Sequence, residues 1–265
     1  MIPSGILGVV HVPPLPGDPM HASGTFADCL AFAARDAEAL VEGGCSGLIV
    51  ENFGSAPFPK GTPEQPTPPH VLAALTRCVD QAHAFGCPVG VNVLRNDVRG
   101  ALGIAAATGA AFVRVNVHVG AYVTDQGLIE GRAFETLRYR REVGADAVRI
   151  FADVRVKHAS PLADVPLERE VADVVKRGRA DAVIVTGSGT GEPVSQSVLE
   201  TVHTAAGDAP VLIGSGLEPA SAATLAPFAD AAIVGTWLKQ EGDVSRPVDV
   251  ERVRQLVDAW NESRV

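Results

Sequence analysis

Eight short apolar runs recur along the chain, at residues 6–10, 48–50, 89–93, 112–115, 149–152, 182–185, 211–213 and 231–234. Several are rich in Val and Ile and lack polar alternation, the pattern of parallel strands covered on both faces by helices. Each leads into small or polar residues and then into a stretch with helical periodicity, so the crossovers are long enough to return the chain to the same sheet edge. Repeated right-handed crossovers give either a closed barrel or an open doubly wound sheet. Eight repeats favour closure, because an open sheet needs edges, whereas every run here is short, apolar and followed or preceded by a covering helix. The expected fold is an α/β (β/α)₈ TIM barrel, spanning residues 1–265 as one domain.

The first crossover shows why a helix is expected. Phe26, Leu30, Ala33, Ala37 and Leu40 recur at three- and four-residue steps, while Asp28, Arg35, Glu38 and Glu42 fall on other faces. Thr25 is placed to cap the start, and Gly43-Gly44 to end it. Residues 250–260 read as a closing helix with Val253, Leu256, Val257 and Trp260 on its apolar side. Two loops are crowded with Pro and Gly, at 13–17 and 53–69, and are expected to form an irregular wall over a pocket.

Hydrophobic residues make up 46% of the 265, but aromatics only 5%, so the core must be built from Val, Leu, Ile and Ala. A net charge of −9 without a Lys/Arg cluster gives no footprint for nucleic acid or an anionic membrane, yet leaves room for a local anion pocket. No apolar run reaches membrane-spanning length, and the amino terminus has no leader pattern, so a cytoplasmic protein without membrane insertion is expected. Cys29, Cys45, Cys78 and Cys87 have neither metal-ligand spacing nor disulfide density and are expected to be reduced and structural.

Polar residues gather where a barrel places its working face. His11 follows the first run, Glu51 and Asn52 the second, Asn92, Arg95, Asn96 and Asp97 the third; Asp153, Lys157 and His158 follow the fifth. In the fourth, Val113, Val115 and Val117 alternate with Arg114, Asn116 and His118, which puts the polar set on the barrel interior. A buried Arg114 requires an anion or an acidic neighbour, and Glu51 or Asp153 can supply it. Glu51, His118, Asp153 and His158 are the expected acid/base groups; His11, Asn52, Asn92, Arg95, Arg114, Asn116 and Lys157 are expected to bind substrate. His11, Glu51, His118, Asp153 and His158 are also acceptable ligands for a divalent metal, although their spacing matches no compact metal motif; no cofactor is otherwise expected.

The second half of the chain carries glycine instead. Gly187 and Ser188 after the sixth run, Gly214-Ser215-Gly216 after the seventh, and Gly235 and Thr236 after the eighth let backbone N–H groups approach an anion, and are the expected phosphate site. The spacing of Gly187, Gly189 and Gly191 is not a dinucleotide fingerprint, and no Gly-Lys-Ser/Thr phosphate loop occurs. Ser188, Ser195 and Ser215 lack a nucleophile-elbow context, which argues against a serine hydrolase.

At this point the chain resembles the BtpA/SgcQ family. The resemblance rests on Gly8-Val-Val-His-Val-Pro-Pro-Leu-Pro-Gly17, Val50-Glu-Asn-Phe-Gly54, Pro57-Phe-Pro-Lys60, Gly90-Val-Asn-Val-Leu-Arg-Asn-Asp97, Arg114-Val-Asn-Val-His118, Thr124-Asp-Gln-Gly-Leu-Ile-Glu-Gly131, Phe151-Ala-Asp153, Val156-Lys-His158, Val185-Thr-Gly187 and Gly235-Thr-Trp-Leu-Lys239, in that order along almost the whole chain. It implies a barrel similar to the ribulose-phosphate-binding group, and it adds Asp125 to the polar positions named above. It supplies no established reaction. Residues and resemblance together give the expectation of an enzyme on a phosphorylated sugar or nucleoside-like metabolite, an isomerase, epimerase or lyase using acid/base chemistry. Glycosyl or phosphoribosyl transfer, and a nonenzymatic metabolite-binding or assembly protein, are the alternatives. The expected partners are a phosphorylated small molecule and a second copy of the chain.

Overall fold

Side chains alternate along a parallel strand, so a closed barrel sorts each apolar run into an inner and an outer core. The computed structural model describes residues 3–187 and 193–264. Its elements follow in chain order: β1 Gly5–His11, α1 Phe26–Glu42, β2 Gly47–Glu51, α2 Pro69–His83, β3 Val89–Asn92, α3 Val98–Thr108, β4 Phe112–Val115, β5 Ala121–Thr124, β6 Gly127–Glu130, α4 Ala133–Glu142, β7 Arg149–Val154, β8 Ala159–Pro161, α5 Leu167–Ala172, β9 Ala182–Val185, α6 Gln196–Ala206, β10 Val211–Ile213, α7 Pro219–Leu225, β11 Ala231–Val234 and α8 Val250–Glu262. The strands close in the order β1-β11-β10-β9-β7-β4-β3-β2, all parallel. The fold is a (β/α)₈ TIM barrel, with a strand at each of the eight apolar runs.

The inner core is small and aliphatic apart from Phe112 and Phe151, whose rings stack at 4.4 Å between the neighbouring strands β4 and β7. Leu7 and Val9, Ile49, Ile184 and Ile233 fill the rest. The outer core holds Ile6, Val10, Leu48, Val50, Val113 and Val115 against the helices. This parity has a consequence at the top of the barrel. Two residues beyond Val9, Ile49, Phe112, Phe151, Ile184 and Ile233 on the inward face come His11, Glu51, Arg114, Asp153, Thr186 and Gly235. The last inward layer is therefore polar on one side and small on the other.

Helix α1 starts as its sequence requires: the Thr25 side chain accepts from Asp28 N–H, and the Asp28 carboxylate accepts from Thr25 N–H at 2.7 Å, a reciprocal cap. Ala33, Ala37 and Leu40 are buried as expected, but Phe26 is exposed, because the first turn projects beyond the barrel. Helix α8 buries Val253, Leu256 and Trp260.

A second sheet lies outside the barrel ladder. Strands β5 and β6 form an antiparallel hairpin, and β8 pairs with β5 on its other side. Under it, Val117, Tyr122, Ile129 and Val156 form a separate small core. The Pro-rich loops after β1 and β2 are tied to each other: Gly54 N–H donates to the Val12 carbonyl at 3.0 Å, and Ser55 Oγ donates to Asp18 Oδ2 at 2.8 Å. They form a braced wall. The four cysteines are free thiols, and among the described residues no helix is long and apolar enough to cross a membrane.

Candidate functional site

The polar inward layer is fixed from below by one buried ion pair. Arg114 donates from Nε and Nη2 to the two oxygens of Asp153, each at 3.1 Å, and Asn116 Nδ2 donates to Asp153 Oδ2 at 2.7 Å. The Asp153 side chain is fully buried beneath these donors. Burial disfavours the Arg114 cation, yet the Asp153 and Glu51 charges outweigh it and hold the guanidinium above its ordinary range. Asp153 is thus the neighbour that keeps Arg114 charged and oriented. It lines neither of the cavities described below, which corrects its expected role as an acid/base group.

Glu51 is the carboxylate that faces open space. Asn92 Nδ2 donates to its Oε2 at 2.5 Å, and His11 Nε2 lies 3.9 Å from its Oε1. One oxygen is pinned and the other is directed by an imidazole. Burial first, then the Lys239 and Lys157 cations, push the His11 pKa well below its usual value, so this ring is neutral at pH 7. His11 also packs at 4.8 Å on Phe53.

Two cavities meet at this carboxylate. The smaller, about 160 Å³, is lined on one side by His11 and on the other by Gly214, Ser215, Gly216, Gly235 and Thr236. The larger, about 430 Å³, is lined by Phe53, Phe58, Leu94, Asn92, Arg95 and Asn116, with Asp125 and His158 at its edge. Glu51, Arg114 and Lys157 line both. The half-buried Lys157 commits its backbone to the scaffold: its N–H donates to Thr186 Oγ1 at 3.1 Å and its carbonyl accepts from Arg95 Nη2 at 2.6 Å. The ammonium is left to the junction, where burial and the nearby Arg114 hold its pKa below the ordinary lysine value.

Glycine is required in the smaller cavity. A Cβ on Gly235 would stand 2.5 Å from His11 Cε1, so only hydrogen fits there. Gly216 has φ +70°, the left-handed region, which turns the backbone after Ser215 back toward the cavity. Gly187 does not join this lining, since its N–H donates to Ser215 Oγ at 3.1 Å. Ser188 lies outside the described residues.

Other polar residues of the strand ends are placed away from the junction. His118 follows the end of β4 and leaves the inward row: its Nε2 pairs with the Gly178 carbonyl at 2.8 Å, and burial lowers its pKa. It lines neither cavity. Asn52, expected to bind substrate, spends its amide as a backbone clamp, donating to the Leu94 carbonyl at 3.3 Å and accepting from Leu94 N–H at 2.7 Å. Asn96 clamps Val117 in the same way, and Asp97 caps α3 through Gly100 N–H at 2.8 Å. The five residues considered for a metal are split by these contacts; among the described residues no group of three or more His, Cys, Asp or Glu is placed to hold an ion. Reasoning from strand ends missed Phe53 and Phe58; the loop that carries them was legible as a wall, but not which of its residues face inward.

Comparison with known proteins agrees with this architecture. The chain is 45% identical to the Photosystem I biogenesis protein BtpA of a Synechocystis species, covering 97% of this chain and 88% of that one. It is 43% identical to a protein of Pyrococcus furiosus, covering 97% and 94%. Among solved structures, a Mycobacterium tuberculosis tryptophan synthase superposes with TM-score 0.62 at 17% identity, covering 98% and 92%. N-(5'-phosphoribosyl)anthranilate isomerase from Pyrococcus furiosus superposes with TM-score 0.58 at 12% identity, covering 98% and 99%. At these identities the solved structures speak for the fold alone. The BtpA family profile matches residues 3–262, and with the identities of the relatives it places this chain in the BtpA family.

Proposed function

We propose that the protein acts on a phosphorylated sugar-type metabolite, holding the phosphoryl group in the glycine-lined cavity and moving a proton at the junction, as an isomerase, epimerase or lyase does. The observation that carries this reading is the position of Glu51: it opens on both cavities, with one oxygen pinned by Asn92 and two cations, Arg114 and Lys157, lining the same junction. A phosphoryl group beside Gly214, Ser215, Gly216 and Gly235 can approach the backbone closely, because these residues carry little or no side chain. That anchor brings the neighbouring carbons of the ligand to Glu51.

Glu51 takes a proton from a carbon beside a carbonyl, and the electron pair moves onto the carbonyl oxygen. The charge developing there is stabilised by Arg114 and Lys157 in a site partly shielded from water. A lysine whose pKa is lowered by burial gives up a proton more readily than one at the surface, so Lys157 protonates the oxygen to give an enediol; as Glu51 returns its proton to the same or an adjacent carbon, the hydroxyl whose oxygen becomes the carbonyl gives its proton back to Lys157.

The reading is tested by incubating the protein in D₂O with a panel of aldose and ketose phosphates and following deuterium at carbon by NMR. Wild type exchanges at least one member, and Glu51→Gln slows that exchange by about 10²- to 10⁴-fold, the usual range for a general base, while inorganic phosphate still binds. Equal exchange by wild type and variant removes Glu51 as the base. Failure of inorganic phosphate and of every sugar phosphate to bind removes the anion site.

A further inference from the structure

The larger cavity has properties that a plain sugar phosphate leaves unused. With its phosphoryl group in the cavity of about 160 Å³ and its reacting carbon at Glu51, a small sugar phosphate ends near the junction, and the cavity of about 430 Å³ beyond it is left to water. That space has apolar walls. The half-buried rings of Phe53 and Phe58 and the side chain of Leu94 line it, in a protein with only 5% aromatic residues. Phe53 is held in place from behind by the His11 ring at 4.8 Å. Flat aromatic faces of this kind gain most from another planar group.

The polar groups of the same cavity narrow the choice. Asn116 spends its Nδ2 on Asp153 and has no partner for Oδ1, and Arg95 spends Nη2 on the Lys157 carbonyl and has no partner for Nε. Both are buried residues anchored at one end, one with an unused acceptor and the other with an unused donor. A heterocycle whose edge carries both a donor and an acceptor matches that pair. Charge argues against a second phosphoryl group, since Arg95, Arg114 and Lys157 in the lining are set against Glu51 and Asp125 there and the Asp153 carboxylate paired with Arg114 beneath it. The cavity is close to neutral, as a ring requires and a bisphosphate does not.

Building on the phosphate reading above, we infer that the cavity lined by Phe53 and Phe58 binds a planar heterocycle, so that the substrate is a sugar phosphate conjugated to a ring, a nucleotide-like molecule whose linking region lies at Glu51, Arg114 and Lys157. The ring stacks on the phenylalanine wall and the phosphoryl group sits among the glycines.

Calorimetric titration at fixed salt with inorganic phosphate, ribose 5-phosphate, fructose 1,6-bisphosphate, and adenosine, uridine and nicotinamide 5′-mononucleotides tests this. At least one mononucleotide should bind about tenfold or more tighter than ribose 5-phosphate, the scale of one stacked ring. Phe58→Ala should erase that advantage and leave ribose 5-phosphate affinity and the melting temperature unchanged, because Phe58 lies in a loop at the cavity wall. If ribose 5-phosphate binds as tightly as every mononucleotide in wild type, or if Phe58→Ala weakens both alike, the ring site is wrong and the phosphate reading stands. Tighter binding of the bisphosphate than of any mononucleotide makes the cavity an anion site and likewise overturns the inference. If no phosphate compound binds, both readings fall together.

Discussion

The ends of β1 to β7 and the ends of β9 to β11 surround one mouth with opposite means. On the first side the working groups are side chains held by other side chains: Glu51 by Asn92, Arg114 by Asp153, Asp153 also by Asn116. On the second side the inward positions are Thr186, Gly214 and Gly235, and around the two glycines the backbone itself lines the cavity. A side chain brings charge and a titratable proton, but it must be fixed by partners. Backbone amides bring neither, and their position comes with the fold. The contrast teaches where each half is fragile: the first through loss of a partner, the second through gain of volume.

The strongest way to break the comparison is at Asp153. Asp153→Ala leaves Arg114 buried without its carboxylate, and breaking a buried ion pair of this kind costs about 3–5 kcal/mol. Denaturant unfolding should show that loss, and the folded fraction should still bind inorganic phosphate, since the anion is placed on the glycine side and Asp153 lines neither cavity. Loss of phosphate binding in folded Asp153→Ala protein would show that the two halves are not separate. Asp153→Asn keeps one acceptor and should lose less than Asp153→Ala.

Gly235→Ala probes the other half. Its Cβ would meet His11 Cε1 at 2.5 Å and Val9 Cβ at 3.3 Å, and overpacking of this kind costs about 1–3 kcal/mol. The expected result is a lower melting temperature together with weaker phosphate binding. A variant with wild-type stability and phosphate affinity would mean that the glycine is not needed for the close approach.

Much of this division was legible in the chain. The eight apolar runs each became a strand, because buried parallel strands carry a signal that does not depend on their neighbours. Parity then placed Arg114 and Asn116 inward correctly. It failed at His118 because β4 ends at Val115, and three residues past a strand end the period of two no longer governs direction. The choice of Asp153 over Glu51 as the partner of Arg114 lies between strands, where spacing along one strand says nothing. The hairpin β5–β6 was not foreseen: its strands are four residues each, and Val123 and Leu128 are exposed, so neither run looks like a strand that buries a face. Asn52 reads as a ligand, and Asn96 as a polar residue of the working face, because a polar residue at a strand end resembles a site group. Only loop geometry reveals that both amides are spent on backbone.

The smallest effect is expected at the seam, where His11 touches both halves. Its folded pKa is lowered below 6.5, chiefly by burial, so in the window between the folded value and 6.5 the unfolded chain binds more protons than the native one. Stability therefore rises with pH through that window and is lost on acidification from pH 7 toward 5, with a slope of at most about 1.4 kcal/mol per pH unit for one such group. His118 is also lowered by burial and contributes with the same sign, so the pH dependence alone does not single out His11. Phosphate separates the two. An anion in the glycine-lined cavity lies beside His11 and favours its imidazolium, whereas His118 faces Gly178 and lines neither cavity. Melting curves between pH 7 and 5, with and without saturating inorganic phosphate, should show that phosphate reduces the acid-induced loss in wild type. His11→Gln should remove the phosphate-sensitive part and His118→Gln should leave it. A phosphate effect that survives in His11→Gln would place the anion away from the seam and dissolve the division of labour between the two halves.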